Sequence, residues 1–101
     1  MTFGISEQSY RQILQAIEAI PEIEEVLIFG SRSMGNFKPG SDIDLALKGE
    51  RVTTQTALDL AAQLNEALPI PYLCDVVGYA FLDNLDLKQH IDCHGIKFFQ
   101  R

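Results

Sequence analysis

Residues 42–47 read DIDLAL, and this hexapeptide constrains the fold more tightly than any other stretch of the chain. Side chains alternate between the two faces of an extended strand, so Ile43, Leu45 and Leu47 fall on one face and Asp42, Asp44 and Ala46 on the other. The apolar three call for a core. Asp42 and Asp44 stand about 7 Å apart by the usual rise per residue, and a carboxylate in such a strand is costly to bury unless it is paired or bound to a metal.

The rest of the chain supplies the elements for a small sheet with helices packed on it. Tyr10, Ile13, Leu14, Ile17 and Ile20 recur at three- and four-residue spacing, which predicts an amphipathic helix over residues 6–20 with Ser6 as its N-cap and Pro21 as its stop. EEVLIF at 24–29 reads as a strand covered on both faces and ended by Gly30. Residues 31–41, with Gly35, Pro39 and Gly40, read as a loop. A second helix is expected from a Thr54 cap to about Leu68, with Ala57, Leu58, Ala61 and Leu64 inward and Pro69 and Pro71 ending it. YLCDVVGY at 72–79 reads as a third strand with a single charge, Asp75. A last helix capped by Asp83 and ended by Gly95 precedes a terminal strand at 96–99. The order α-β-β-α-β-α-β implies an α/β (α+β) fold, a small mixed sheet flanked by helices, in one domain spanning 1–101.

Charge and composition narrow the chemistry. The net charge of −6 argues against a self-sufficient nucleic-acid binder, because Lys and Arg supply most of such affinity. No direct nucleic-acid partner is expected, and any phosphate handled here needs metal ions to offset the protein's own carboxylates. No segment approaches the roughly 18 apolar residues of a membrane span, and the start MTFGIS lacks the form of a signal peptide. A cytoplasmic protein is expected, with Cys74 and Cys93 as reduced thiols, at least one of them buried.

Hard oxygen ligands such as Asp42 and Asp44 favour Mg²⁺ or Mn²⁺, and Mg²⁺ commonly completes its shell with waters and substrate phosphate oxygens. A third carboxylate joins them if the Asp75 strand lies alongside; a slip of one residue would aim Cys74 or Val76 there instead. Gly30-Ser31 directly follows a strand, where glycine lets the backbone approach a ligand and a helix start offers free N–H groups; Ser31 and Ser33 add hydroxyl donors. Each part has an ordinary reading as well: the Gly-Ser pair as a plain turn, Asp42 as a cap on the turn after Ser41. Arg32 is open between a phosphate-binding fork and a surface residue that closes the loop. His90, Cys93 and His94 share a turn and a half but have no further ligand near, so they read as a polar helix face rather than a zinc site. Glu22, Glu24, Glu25 and Lys38 read as solvated, and Tyr10, Tyr72 and Tyr79 as core or rim aromatics.

The conjunction is more specific than its parts. Gly30-Ser31, ten residues, Asp42-x-Asp44 on a strand and a later strand aspartate, Asp75, resembles the signature of the DNA polymerase β-like nucleotidyltransferases. The wording GSRSMGNFKPGSDIDLAL and the closing HIDCHGIKFFQR are similar to the minimal nucleotidyltransferases, the MNT family. The resemblance implies a mixed-sheet palm that transfers a nucleoside monophosphate, AMP from ATP, and releases pyrophosphate. By position, Gly30 and Ser31, with Arg32 and Ser33 beside them, would hold the nucleotide's phosphates. Asp42 and Asp44 would bind two Mg²⁺ (or Mn²⁺) ions, and Asp75 would bind the catalytic one and help deprotonate the attacking hydroxyl.

Larger relatives carry an extra helical domain, so the resemblance also implies a separate partner that completes the site. In the MNT family that partner is a helical HEPN protein, a toxic ribonuclease, held with its MNT antitoxin in a hetero-oligomer and in some members modified with AMP on a tyrosine. Two alternatives stand beside this one: a non-catalytic nucleotide-binding module that neutralises or assists a helical partner by contact, and adenylylation of a small molecule without any protein partner.

Overall fold

Capping decides where the helices begin. In the computed structural model, which describes residues 3–101, the Ser6 hydroxyl accepts a hydrogen bond from the Ser9 N–H at 3.2 Å and opens α1, Glu7–Glu18. The far end of α1 is closed from across the chain, where the Arg101 guanidinium donates to the carbonyls of Glu18 (3.1 Å), Ile20 (2.9 Å) and Ile23 (2.7 Å). A cation there also suits the negative end of the helix dipole. Helix α3, Thr54–Ala62, runs on into a π turn at Gln63–Ala67. It is capped one residue earlier than the spacing predicts: Thr53 and Thr56 satisfy each other's backbone N–H in a capping box. Asn84 rather than Asp83 caps α4, Leu85–His94, because its side-chain oxygen is the one that reaches the Leu87 N–H, at 3.1 Å.

Four strands, β1 (Glu25–Phe29), β2 (Ile43–Lys48), β3 (Cys74–Gly78) and β4 (Ile96–Gln100), form one mixed sheet in the order β3-β2-β1-β4. β1 runs antiparallel to both β2 and β4, and β2 and β3 are parallel, joined by the α3 crossover. The stretch at 31–41 expected as a loop opens instead as one helical turn, α2 (Ser31–Met34), and a 3₁₀ turn, Tyr79–Phe81, follows β3.

The alternation of DIDLAL divides the two faces of the sheet. Ile43, Leu45 and Leu47 join Val26, Ile28, Cys74 and Phe98 beneath α1 and α3, with Ile13, Ile17, Leu60 and Leu64 closing that core. On the opposite face α4 covers a smaller cluster, Phe29, Ala46 and Ile91 with Leu27, Val77 and Leu87 around it. The rows of that second face follow from the register. Leu27, Ala46 and Val77 form the apolar middle, and Phe29, Asp44 and Asp75 form the row at one end. No helix among the described residues is long and apolar enough to cross a membrane.

Candidate active site

Asp44 and Asp75 are paired across the parallel strands, Cα to Cα. Partnered residues on neighbouring strands point to the same face, and the strands lie about 4.8 Å apart. Cys74 and Val76, the residues a slipped register would have aimed at the site, instead pack into the core of the other face. The register is held at its origin by Asn65, from the π turn, whose side-chain amide bonds both the N–H and the carbonyl of Cys74, each at 2.8 Å. That two-point clasp sits on the free edge of β3, one residue before Asp75, where no further strand is available to fix it.

Asp42 lies just ahead of β2 and is exposed, as is Asp75, while Asp44 is half-buried. Asp42 does not cap the preceding turn. Ser41 closes it, its N–H donating to Lys38 O at 3.0 Å and its hydroxyl accepting from the Lys38 N–H at 2.8 Å. The Asp44 carboxyl is pushed above its ordinary pKa first by burial, then by the negative charges of Asp75 and Asp42; the charge of Arg32 acts the other way. All three aspartates therefore share one electrostatic neighbourhood. Their hard oxygen donors and mutual repulsion fit a Mg²⁺- or Mn²⁺-type ion. Among the described residues no three acidic, imidazole or thiol groups close into a preformed metal cage. An open row of carboxylates is the arrangement that leaves coordination positions for water and for phosphate oxygens.

Gly30 ends β1 beside this row. Its φ of 76° and ψ of −152° are essentially reserved for glycine, and a Cβ there would run into Asp44 Oδ2. The turn thus passes directly over the Asp44 carboxylate. Ser31 opens α2, so its N–H has no acceptor four residues back in the helix. The Ser33 hydroxyl donates to the Gly30 carbonyl at 2.9 Å, which commits its proton to the turn itself and leaves its oxygen lone pairs only.

Arg32 closes the loop, as one of its two sequence readings has it, but from a buried position. It is 2% exposed, so it is no surface residue. Its fork is spent on main-chain carbonyls: Nε and one terminal nitrogen on Ser41 O, that same nitrogen on Pro39 O, and the other on Phe3 O, at 2.8–3.3 Å. The guanidinium lies over the rings of Phe37 and Tyr72, 5.1 and 5.0 Å from their centroids. Arg32 is accordingly the anchor of the loop that delivers Asp42. Four of its five N–H donors are committed to these carbonyls.

One residue of the site is missing from any reading of the motifs. His90, on α4, accepts the Gly30 N–H at Nε2, 3.0 Å away. Sixty positions separate the two residues, and nothing in the local spacing of α4 marks His90 out from its neighbour His94.

The mixed sheet, the in-register aspartates and the Gly-Ser turn over them define a polymerase β-like nucleotidyltransferase palm. The family model "Polymerase beta, Nucleotidyltransferase" matches residues 11–101, and the chain belongs to that family. Among solved structures, it is similar to a toxin–antitoxin complex with AMP-PNP, at TM-score 0.73 and 24% identity over 91% of this chain and 73% of that one. It is also similar to the complex of a tri-AMPylated Shewanella oneidensis HEPN toxin with its MNT antitoxin, at TM-score 0.68 and 22% identity over 94% of this chain and 72% of that one. A putative nucleotidyltransferase from Sulfolobus solfataricus aligns at TM-score 0.58 and 18% identity, over 93% of this chain and 79% of that one. No curated protein matches the sequence.

Proposed function

We propose that the chain transfers AMP from ATP to a hydroxyl of a helical HEPN-type protein and so acts as that protein's antitoxin. The observation that carries the chemistry is the pairing of Asp44 with Asp75 across β2 and β3, with Gly30 lying against Asp44. The likeness to complexes of a HEPN toxin with an MNT antitoxin supports the choice of partner.

In this reading the Gly30-Ser31 turn receives the β- and γ-phosphates, Ser31 offering its free N–H and hydroxyl. Asp42 and Asp44, with Asp75, would hold two Mg²⁺ (or Mn²⁺) ions. When bound, the ions offset charge on the triphosphate and favour both the attacking and the leaving oxygen. Asp75 accepts the proton of the acceptor hydroxyl through a carboxylate oxygen as that hydroxyl's oxygen bonds to the α-phosphorus. The bond from the α-phosphorus to the bridging oxygen breaks, and pyrophosphate leaves with the electron pair. Positioning and charge supply most of the rate in such transfers, so the rigid register beneath the aspartates matters as much as their identity.

The test is to incubate the chain with ATP labelled in the α-phosphate, Mg²⁺ and the helical protein encoded beside it. Label on the partner, lost with Asp42→Ala or Asp75→Asn, is the expected result. No label on the partner, with Asp42→Ala still neutralising it, overturns the enzyme in favour of a module that works by contact. Label on an aminoglycoside in the absence of any protein partner redirects the activity to a small molecule.

A further inference from the structure

We infer that His90 is a positioning residue of the nucleotide site, its Nε2 lone pair holding the Gly30 N–H and thereby fixing the turn over Asp44. The inference rests on the reading that the Gly30-Ser31 turn receives a triphosphate, and it adds a residue from the last helix to a site built at the ends of the strands.

Gly30 combines two properties that pull against each other. The site needs a residue without a Cβ, because a side chain would strike Asp44 Oδ2, yet glycine is the least restrained residue in the chain. Two hydrogen bonds reach the Gly30 carbonyl, from the Ser33 hydroxyl at 2.9 Å and the Met34 N–H at 3.2 Å. Both come from α2 and move with the turn. The bond from the Gly30 N–H to His90 Nε2, at 3.0 Å, is of another kind, since it ties the turn to α4. A backbone N–H can only donate, so Nε2 is bare and the ring proton sits on Nδ1.

The imidazole is itself held in place. Its ring meets Phe29 edge-on, with centroids 6.1 Å apart and planes at 73°, and Phe29 is the β1 residue paired with Asp44. The next residue on α4, Ile91, is buried in the apolar cluster with Phe29 and Ala46, which fixes the helix on the sheet. Gly30 is therefore tied through His90 to α4, the helix that packs on the sheet face carrying Asp44 and Asp75. A turn held in its binding geometry before the ligand arrives avoids the ordering entropy of binding.

The experiment compares the wild-type chain with His90→Leu, which keeps bulk against Phe29 and removes the acceptor, and His90→Gln, whose side-chain oxygen reaches about as far as Nε2. Calorimetric titration with ATP and Mg²⁺ is run beside titration with AMP, which lacks the phosphates the turn would hold. Amide exchange at Gly30 is followed by NMR in all three proteins. The expected result is a loss of ATP affinity of roughly tenfold in His90→Leu, the worth of about one hydrogen bond. AMP affinity should be unchanged, His90→Gln should recover most of the ATP affinity, and Gly30 exchange should be faster only in the leucine variant. Equal ATP affinity in wild type and His90→Leu overturns the inference, as does an equal loss in the leucine and glutamine variants. A wild-type chain that takes no ATP while its Gly30 amide stays protected overturns the triphosphate reading beneath the inference, and the exchange data separate that failure from the absence of the His90 bond.

Discussion

Replacing Asp44 with Asn removes one of three neighbouring carboxylates with little change of shape, and the structure fixes the sign of the outcome. Burial first, then Asp75 and Asp42, raise the Asp44 pKa. A raised folded-state pKa means that the folded chain binds this proton more tightly than the unfolded chain does. Stability from this group is therefore lost as pH rises from the unfolded value near 3.8 through the raised folded value, and at pH 7 the full penalty stands. Its size follows from the register. Unit charges about 5 Å apart on adjacent strands repel by roughly 3 kcal/mol at an effective permittivity of 20 and under about 1 kcal/mol in water. Asp75 is exposed, which places the pair near the lower figure, about 1 kcal/mol, or a rise in Tm of roughly 4–8 °C for a domain of this size. The assay is thermal unfolding at pH 7, with and without Mg²⁺ and ATP. Asp44→Asn should melt above wild type without ligand. At 100 times the dissociation constant, bound nucleotide should add about 2.7 kcal/mol to wild type and little to the variant, reversing the order. An Asn variant that melts below wild type in the absence of ligand would refute the electrostatic argument. An equal ligand shift in the two proteins would refute the assignment of Asp44 to the site.

Gly30→Ala should cost about 1–3 kcal/mol from its disallowed backbone alone and should abolish transfer by displacing the Asp44 carboxylate; urea unfolding and the labelled-ATP assay read the two effects separately. Arg32→Met leaves the carbonyls of Phe3, Pro39 and Ser41 without their donors, and a loss of about 3 kcal/mol or more is expected in urea unfolding. A variant of normal stability that no longer binds ATP would return Arg32 to the phosphates. Burial pushes the Cys74 thiol up to about 11, and Cys93 is exposed. A thiol reagent at pH 8 should therefore modify one cysteine quickly, Cys93, and the second only on unfolding; fast modification of both would show that the β3 edge opens.

The parts legible in the sequence are those governed by local rules. Period-2 alternation placed Asp42 and Asp44 opposite the Ile43-Leu45-Leu47 stripe, and that division holds, with the stripe sealed in the core. Three- and four-residue spacing located α1, α3 and α4, though in α3 it is Leu60 that is buried and Leu58, expected inward, that is exposed; the ends moved by a residue or two because capping depends on which oxygen reaches which N–H. What the sequence left open was decided by distant contacts. The register that brings Asp75 opposite Asp44 depends on pairing between strands some thirty positions apart. Arg32 closes the loop, as one of its two sequence readings has it, but from a buried position, because its carbonyl partners lie in the adjoining loop and at Phe3 and carbonyls carry no sequence signal. His90, Cys93 and His94 read as a polar face because the spacing within a helix carries no sign of Gly30, sixty positions away.

The site consequently depends on two kinds of residue that obey different constraints. Asp42, Asp44 and Asp75 are chosen for charge, and after burial it is the charges of Asp75 and Asp42 that disfavour an ionised Asp44; their row lies at the end of the α4-covered face. Arg32, Asn65 and His90 act on the main chain around the aspartates. Each bonds backbone: Arg32 the loop ahead of Asp42, Asn65 the edge strand ahead of Asp75, His90 the turn over Asp44. Every aspartate thus has its own backbone tether on a different element. Side-chain tethers of this type resist repulsion among the carboxylates because a bond to the main chain fixes position without neutralising charge. That distinction predicts how the site fails: loss of an aspartate should leave or improve stability and remove activity, whereas loss of a tether should degrade both, in proportion to how far its backbone segment is released.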